Sequence, residues 1–163
     1  MNYQAYALGL DRIEIGALLA VLMEAGDAAF GDLAFMHQAM DDLRMGTKRG
    51  RDLAQGVARV GAKRGLKRLP VIKKQALSAY DPRVAEVTAI SMMTTAQGAD
   101  HTVGNNPTFN STNVSVEELV KESFELQVLC ATNDSLGMCL FGRSVSNANQ
   151  QMMIDAVDRK SVV

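Results

Sequence analysis

The chain reads as an all-α protein. Helix-start and helix-stop residues bracket runs of apolar positions three and four apart. The connecting stretches are rich in Gly, Asn and Asp, and no segment alternates apolar and polar residues between turn signals. With 163 residues, 47% of them apolar, 21% charged and 5% aromatic, the composition excludes disorder and a disulfide-stapled miniprotein. A length near about 150 residues suggests one domain. Seventeen basic against eighteen acidic residues leave a net charge of −1, so no global field draws the molecule to nucleic acid or to an anionic membrane.

Asp11 caps a first helix, and Glu14 is placed to reach back as the second half of a capping box. Gly26 stops that helix, whose apolar stripe is Ile15, Leu18, Leu19, Leu22 and Met23. A second helix is predicted over 32–45, with Leu33, Met36, Met40 and Leu43 on one side and Gly46 as terminator. Thr47 opens a third, Leu53, Val57 and Val60 line it, and Gly65 closes it before Leu69-Pro70 forces an extended segment. Asp81-Pro82 supplies a cap and a proline at the first helical position, predicting a fourth helix from Arg83 to about Gln97, ended by Gly98. Its small residues, among them Ala85, Ala89, Ser91 and Thr95, permit close approach of another helix or a bulky ligand. From Ala99 to Ser115 the residues His101, Gly104, Asn105, Asn106, Pro107 and Asn110 predict a loop. Ser115 with Glu118 forms another capping box and launches a helix through Val116, Leu119, Val120, Phe124 and Leu126 to about Cys130. A sixth helix is expected near 147–157, and Arg159–Val163, which continue no pattern, are expected to be a truncation scar.

The longest apolar stretch, Ile13–Met23, is interrupted by Glu14 and falls short of the roughly 20 residues that span a bilayer. Neither a membrane span nor a secretory leader is expected. Two cysteines, Cys130 and Cys139, and ten methionines suit a reducing compartment, which points to the cytoplasm.

Three groups of residues could carry chemistry. The stretch Asn133–Phe141 is expected as a loop that places Asp134, Gly137 and Cys139 within six residues. A carboxylate there accepts hydrogen bonds from an amino-heterocycle, a glycine lets backbone amides approach a flat ligand, and a thiolate suits iron or another thiophilic metal. The alternative is a connecting turn with a buried free cysteine. Cys130 sits on the apolar face of its helix at a spacing that matches no zinc or cluster-binding run, so packing is its expected role. His101 follows the glycine stop of the small-residue helix, where an imidazole can carry or relay a proton near neutral pH; otherwise it is a solvated loop histidine. His37, beside Met36 and Met40, reads as a boundary residue.

The third group is charge: eleven of the seventeen basic residues lie in 44–74 against Asp52 alone, a local +10. Such a patch could hold phosphates or an acidic electron-transfer partner, or be a solvated helix face. No aromatic residue lies between Phe35 and Tyr80, so base stacking, and with it nucleic acid, is not expected. Gly-x-Gly-x-x-Gly, a phosphate-loop Gly-Lys-Ser/Thr, His-Glu-x-x-His and Gly-x-Ser-x-Gly are all missing, which argues against autonomous nucleotide chemistry.

Taken in order, Leu8-Gly9-Leu10-Asp11, Ala79-Tyr80-Asp81-Pro82-Arg83, Gly98-Ala99-Asp100-His101 and Asp134-Ser135-Leu136-Gly137-Met138-Cys139 resemble the C-terminal half of the tungsten- or molybdenum-containing aldehyde ferredoxin oxidoreductase family. The resemblance runs from about residue 2 to about residue 157. It implies that 1–70 are the C-terminal part of the family's second helical domain and 71–163 most of its third, truncated at the end. In that family a bis-molybdopterin (tungstopterin) cofactor is held by two loops of the form Asp-x-x-Gly-Leu-(Asp or Cys), and the Cys of the second also ligates a 4Fe-4S cluster. The resemblance therefore implies cofactor contacts from Gly9, Leu10 and Asp11 and from Asp134, Gly137, Met138 and Cys139, with Cys139 as the metal ligand. His101 matches a histidine close to the metal, where it would orient substrate or move protons. Tyr6 stands where the leading Asp of the first loop is expected, and Met138 replaces a leucine.

The implied activity is oxidation of an aldehyde to a carboxylic acid at tungsten or molybdenum, with electrons leaving through the pterin and the cluster to a ferredoxin-like acceptor. The other three cysteine ligands are absent from this chain; the family carries them upstream with a cofactor-covering domain. The chain is thus expected to be a fragment that lacks independent catalysis and needs the missing N-terminal half, with a homo-oligomer also open. Two alternatives stand beside this reading: a small helical binding module using 44–74 for an anionic partner, and a helical assembly subunit that self-associates without metal.

Overall fold

Local capping sets most of the helix ends. The computed structural model describes residues 1–158; Arg159–Val163, where the truncation scar is expected, lie outside the described residues. The described part is mostly helical: α1 (Asn2–Ala7), α2 (Arg12–Glu24), α3 (Leu33–Met45), α4 (Lys48–Leu53), α5 (Gly56–Lys63), α6 (Glu86–Thr94), α7 (Val116–Ser135) and α8 (Arg143–Val157). Between α5 and α6 runs one antiparallel hairpin, β1 (Val71–Ile72) and β2 (Gln75–Ala76), in the register Val71 to Ala76. The chain forms two compact units, one of Met1–Ala79 with Gly98–Asp100, the other of Tyr80–Gln97 with the residues from His101 on. No helix among the described residues is long and apolar enough to cross a membrane.

The first unit has an apolar core. Ile15, Leu18, Leu19 and Leu22 of α2 are buried against Met40 of α3, Leu53, Val57 and Val60 of α4 and α5, and Ala76 of β2. Three side chains cap as expected: the Asp11 carboxylate accepts from Glu14 N at 2.8 Å, Asp32 from Phe35 N at 3.0 Å and Thr47 Oγ1 from Gly50 N at 3.0 Å. The Glu14 carboxylate does not return to Asp11. Its Oε1 accepts from Val57 N at 2.7 Å and its Oε2 from Ala76 N at 3.1 Å, so one acid joins α2 to the start of α5 and to the hairpin.

The same bridge divides the next helical stretch. The helix expected over 47–65 is two helices, broken at Ala54-Gln55 with Gly56 at φ +81°, and a Cβ on Gly56 would lie 2.6 Å from Glu14 Oε1. The hairpin also went unforeseen, because its two-residue turn is Lys73-Lys74, both at positive φ, without the usual Gly or Asn. On α3, Leu33 is exposed rather than part of the buried stripe.

In the second unit Asp81-Pro82 starts a turn instead of a helix. The Asp81 carboxylate accepts from Arg83 N at 2.9 Å and from its Nη2 at 2.6 Å, and α6 begins only at Glu86 and ends at Thr94. The Ser115–Glu118 capping box forms in full. From there α7 runs to Ser135, five residues past the expected end, and α8 starts at Arg143 rather than near Asn147. The row Val116, Val120 and Phe124 points outward, with Phe124 66% exposed, while Ser123 and Asn133 face in.

Gly50 and Gly16 test this packing in opposite directions. A Cβ on Gly50 would sit 1.9 Å from the Asp42 carbonyl oxygen, whereas one on Gly16, inside α2, meets nothing within 4 Å. Denaturant melts should show Gly50→Ala destabilised by about 3 kcal/mol and Gly16→Ala stabilised by about 0.5–1 kcal/mol; equal effects would contradict the close α3–α4 approach. Asp81 gives a pH test. Hydrogen bonds from the Arg83 side chain and backbone lower its carboxyl from the ordinary 3.8 to about 2. The turn's stabilisation is therefore complete above the ordinary value and lost as pH falls toward about 2. A carbon-detected NMR titration should find that midpoint for Asp81 and a higher one in Arg83→Ala, where only the backbone hydrogen bond remains; an ordinary midpoint in the unmodified chain would refute the clamp.

Candidate functional site

The second unit is organised by hydroxyls. Ser91 of α6 and Ser123 of α7, each 1% exposed, place their Oγ atoms 2.8 Å apart, and Ser91 Oγ lies 2.9 Å from the Gly104 carbonyl oxygen. Gln127 Nε2 is 3.1 Å from Ser123 Oγ. One proton per hydroxyl orders the chain: the Ser91 proton faces two carbonyls, Gly104 O and Val87 O at 3.0 Å, so Ser123 donates to Ser91 and accepts from Gln127. The small residues of α6 do admit another helix closely, as their composition suggests. At Gly104, φ is +85° and a Cβ would meet Ser91 Oγ at 2.8 Å, so only glycine fits.

Thr88 adds a second anchor. Its hydroxyl donates to Asn105 Oδ1 at 2.9 Å and accepts from Asn106 N at 3.0 Å, while Asn106 Nδ2 donates to Glu122 Oε1 at 3.1 Å. The loop carrying His101 is thereby tied to both helices. Below it lies a cavity of about 260 Å³ whose wall includes His101, Thr102, Asn105, Cys130, Asn133 and Asn147. No Lys, Arg, Asp or Glu lines it among the described residues. Asn133 Nδ2 donates to Asn147 Oδ1 at 2.8 Å and its Oδ1 accepts from Gln150 Nε2 at 3.1 Å, which pins α8 to α7. The Tyr80 ring lies 6.3 Å from that of His101, centroid to centroid. Sequence reasoning missed the amide wall; the run of asparagines read only as loop chemistry was its signal. Cys130, assigned to packing, is half-buried on this wall.

The residues Asp134 to Cys139 are not simply a loop. Asp134 and Ser135 form the last turn of α7, Gly137 follows at φ +70°, Gly137 N donates to Asp134 O at 3.0 Å and Met138 N to Asn133 O at 2.9 Å. This pair of bonds around a left-handed glycine is the Schellman helix stop. The end of α1 repeats it: Gly9 at φ +65°, Gly9 N donating to Tyr6 O at 3.0 Å and Leu10 N to Ala5 O at 2.9 Å. Leu10 and Met138 thus occupy the same position, one that favours an apolar side chain. Tyr6 holds in the first stop the place of Asp134 in the second.

Both stops are open outward. A Cβ at Gly9 or Gly137 meets nothing within 4 Å, and Asp11, Asp134 and Cys139 are exposed. Cys139 is therefore not the buried thiol of the alternative reading. Asp11 also caps α2. Gly9, Leu10 and Asp11 lie in the first unit, whereas His101, Asp134, Gly137, Met138 and Cys139 lie in the second. An outward carboxylate and thiol on one rigid stop suit a hydrogen-bond acceptor and a single cluster ligand. They do not amount to a complete cubane site, since no three His, Cys, Asp or Glu gather as metal ligands among the described residues.

A helical protein that presents its polar groups on glycine-terminated helix ends and an asparagine-rich loop carries none of the nucleotide-binding or hydrolase signatures. Residues 1–159 match the family described as aldehyde ferredoxin oxidoreductase, domains 2 and 3. Tungsten-containing aldehyde ferredoxin oxidoreductases of Pyrococcus furiosus, Pyrococcus horikoshii and Thermococcus kodakarensis are similar to it at 30%, 28% and 29% identity, each over 86% of this chain. The chain spans 27% of the length of these relatives. It belongs to the aldehyde ferredoxin oxidoreductase family.

The hydroxyl chain makes a direct prediction. Ser91→Ala leaves the Gly104 carbonyl and Ser123 short of a partner, at a cost of about 1–3 kcal/mol. Hydrogen exchange should quicken at 104–106 more than in α2; unchanged protection of that loop would show that Ser91 does not anchor it.

Proposed function

We propose that this chain forms the cofactor-facing C-terminal part of an enzyme that oxidises aldehydes to carboxylic acids. The observation that carries the reading is the pair of matching helix stops, and the stretches they fall on are the ones that resemble the family's cofactor loops. Gly9 and Gly137 hold the backbone in the left-handed conformation that ends a helix abruptly and leaves the side chain two residues on outside. On the second stop Asp134 accepts hydrogen bonds from the amino-heterocycle of a pterin and Met138 braces its turn; on the first stop Leu10 braces the turn and Asp11 adds a polar edge. Cys139 provides one thiolate to a 4Fe-4S cluster, and the missing N-terminal half provides the other three. When bound, the tungsten- or molybdenum-bearing bis-molybdopterin supplies the two-electron oxidation and the cluster the exit of electrons to a ferredoxin-like acceptor. His101 orients the aldehyde and moves a proton at its imidazole, with the neutral wall of Asn105 and Asn147 receiving the substrate's polar end.

The share of the relatives that the chain spans supports a fragment, and so does its surface. Val116, Val120, Phe124 and Val128 recur every fourth residue along α7 and are all exposed, whereas the inward face of that helix buries Ser123 and Asn133. A helix apolar on an outer row belongs under a partner, and the remainder of the enzyme is the partner this reading assigns. In the same reading 1–70 close the family's second domain and 71–163 make most of its third. The free thiols Cys130 and Cys139 suit a reducing cytoplasm.

Two variants of the enzyme completed with its upstream half test the assignment. Cys139→Ser should lose most of its cluster iron while the fold persists by circular dichroism; full iron content would remove Cys139 from the ligand set. His101→Ala should keep the pterin and slow aldehyde oxidation by roughly 100-fold or more, and an unchanged rate would exclude the histidine from the chemistry.

A further inference from the structure

The basic segment is left unused by the oxidoreductase reading, and the first unit builds it into a shape. Between α4 and α5 lies a groove of about 630 Å³, with Leu53 and Val60 beneath a rim that includes Lys48, Arg49, Arg59 and Lys63. Three cations of this groove are matched: Arg49 to Asp42 at 2.7 Å, Lys63 to Asp52 at 2.8 Å and Arg64 to Asp27 at 2.6 Å. Lys48 and Arg59 have no carboxylate within ion-pair distance among the described residues; Arg59 Nη1 donates only to the neutral Gln55 amide at 2.9 Å. The field is visible on Asp52, the one acid of the lining. Its carboxyl is held below the ordinary range by the Lys63 hydrogen bond, then by the charges of Lys63, Lys48 and Arg51.

We propose that this groove docks an acidic protein segment, its carboxylates on Lys48 and Arg59 and an apolar side chain against the aliphatic stems that cover the nearly buried Leu53 and Val60. Charge complementarity selects an anionic partner, and the apolar floor selects one with hydrophobic side chains rather than bare phosphates. Nucleic acid is disfavoured because the groove offers no ring for base stacking, and Phe35, the aromatic closest in sequence, already lies 5.1 Å under the Arg49 guanidinium. The inference uses none of the residues assigned to cofactor or substrate, so it stands or falls separately from that assignment.

Fluorescence anisotropy of a short labelled peptide of repeating Glu-Glu-Leu, titrated with the whole chain, tests it. Binding should weaken steeply with added salt, and a Gln-Gln-Leu peptide should not bind. The pair Lys48→Glu with Arg59→Glu should weaken binding by roughly 10-fold or more. The pair Arg83→Glu with Lys121→Glu, an equal charge change in the second unit, should leave it within about twofold. Should the first pair fail to fold, Lys48→Gln with Arg59→Gln should still weaken binding by about threefold. Absence of peptide binding, equal losses in the two reversed pairs, or tighter binding of a single-stranded oligothymidylate of the same charge would each overturn the proposal.

Discussion

A helix that must stop abruptly at the surface needs one residue in the left-handed region, and in an L-peptide that residue is almost always glycine. Gly9 and Gly137 meet this constraint in the same way, with the same two backbone hydrogen bonds around φ values of +65° and +70°. The motif then explains its neighbours. The residue after each glycine is apolar, Leu10 or Met138, because the stop folds it back against the helix. The residue after that, Asp11 or Cys139, is exposed beyond the turn, and it is the position that the proposed function assigns to the cofactor. A Cβ at either glycine would meet no atom, so the demand for glycine comes from the backbone angle and not from crowding.

Behind the second stop the packing is polar. Ser91, Ser123 and Thr88 are buried where a free-standing bundle would place leucine, and they are satisfied by Gly104, Asn105, Asn106 and Gln127. Such a network orients a loop more sharply than it stabilises one, since each hydrogen bond replaces one to water. The outward apolar row of α7 complements this: it is hydrophobic surface that this unit does not use in its own packing. In the first unit, by contrast, aliphatic side chains fill the core and the Glu14 carboxylate ties three segments across it.

Much of this was legible in the sequence where the cause is local. Asp11, Asp32, Thr47 and Ser115 announce helix starts because a cap needs only its own backbone three residues on. Likewise Ile15, Leu18, Leu19 and Leu22 repeat at the helical period and are buried. The misses have distant or competing causes. Glu14 breaks the stretch 47–65 from 43 residues away in the chain, and Asp81 prefers its ion pair with Arg83 to capping a helix. Asn133, Asp134 and Ser135 look like loop formers, yet the Asn133–Asn147 hydrogen bond holds them helical. Of the candidate site, Gly9, Gly137 and Cys139 were singled out by their resemblance to a motif and His101 by its place after a glycine, but that Gly9 and Gly137 end helices was not legible, because the residues before Gly137 look like loop formers. The amide wall of Asn105, Asn133 and Asn147 was not, because it assembles from a loop and two helices.

The reading rests on Cys139 as the point where the polypeptide meets iron. Diffraction at the iron absorption edge, on crystals of this chain completed with its upstream half, locates the metal directly. Iron bonded to Cys139 Sγ, at the outward face of the α7 stop, is the predicted result. Iron ligated elsewhere, with that sulfur free in solvent, would contradict the account.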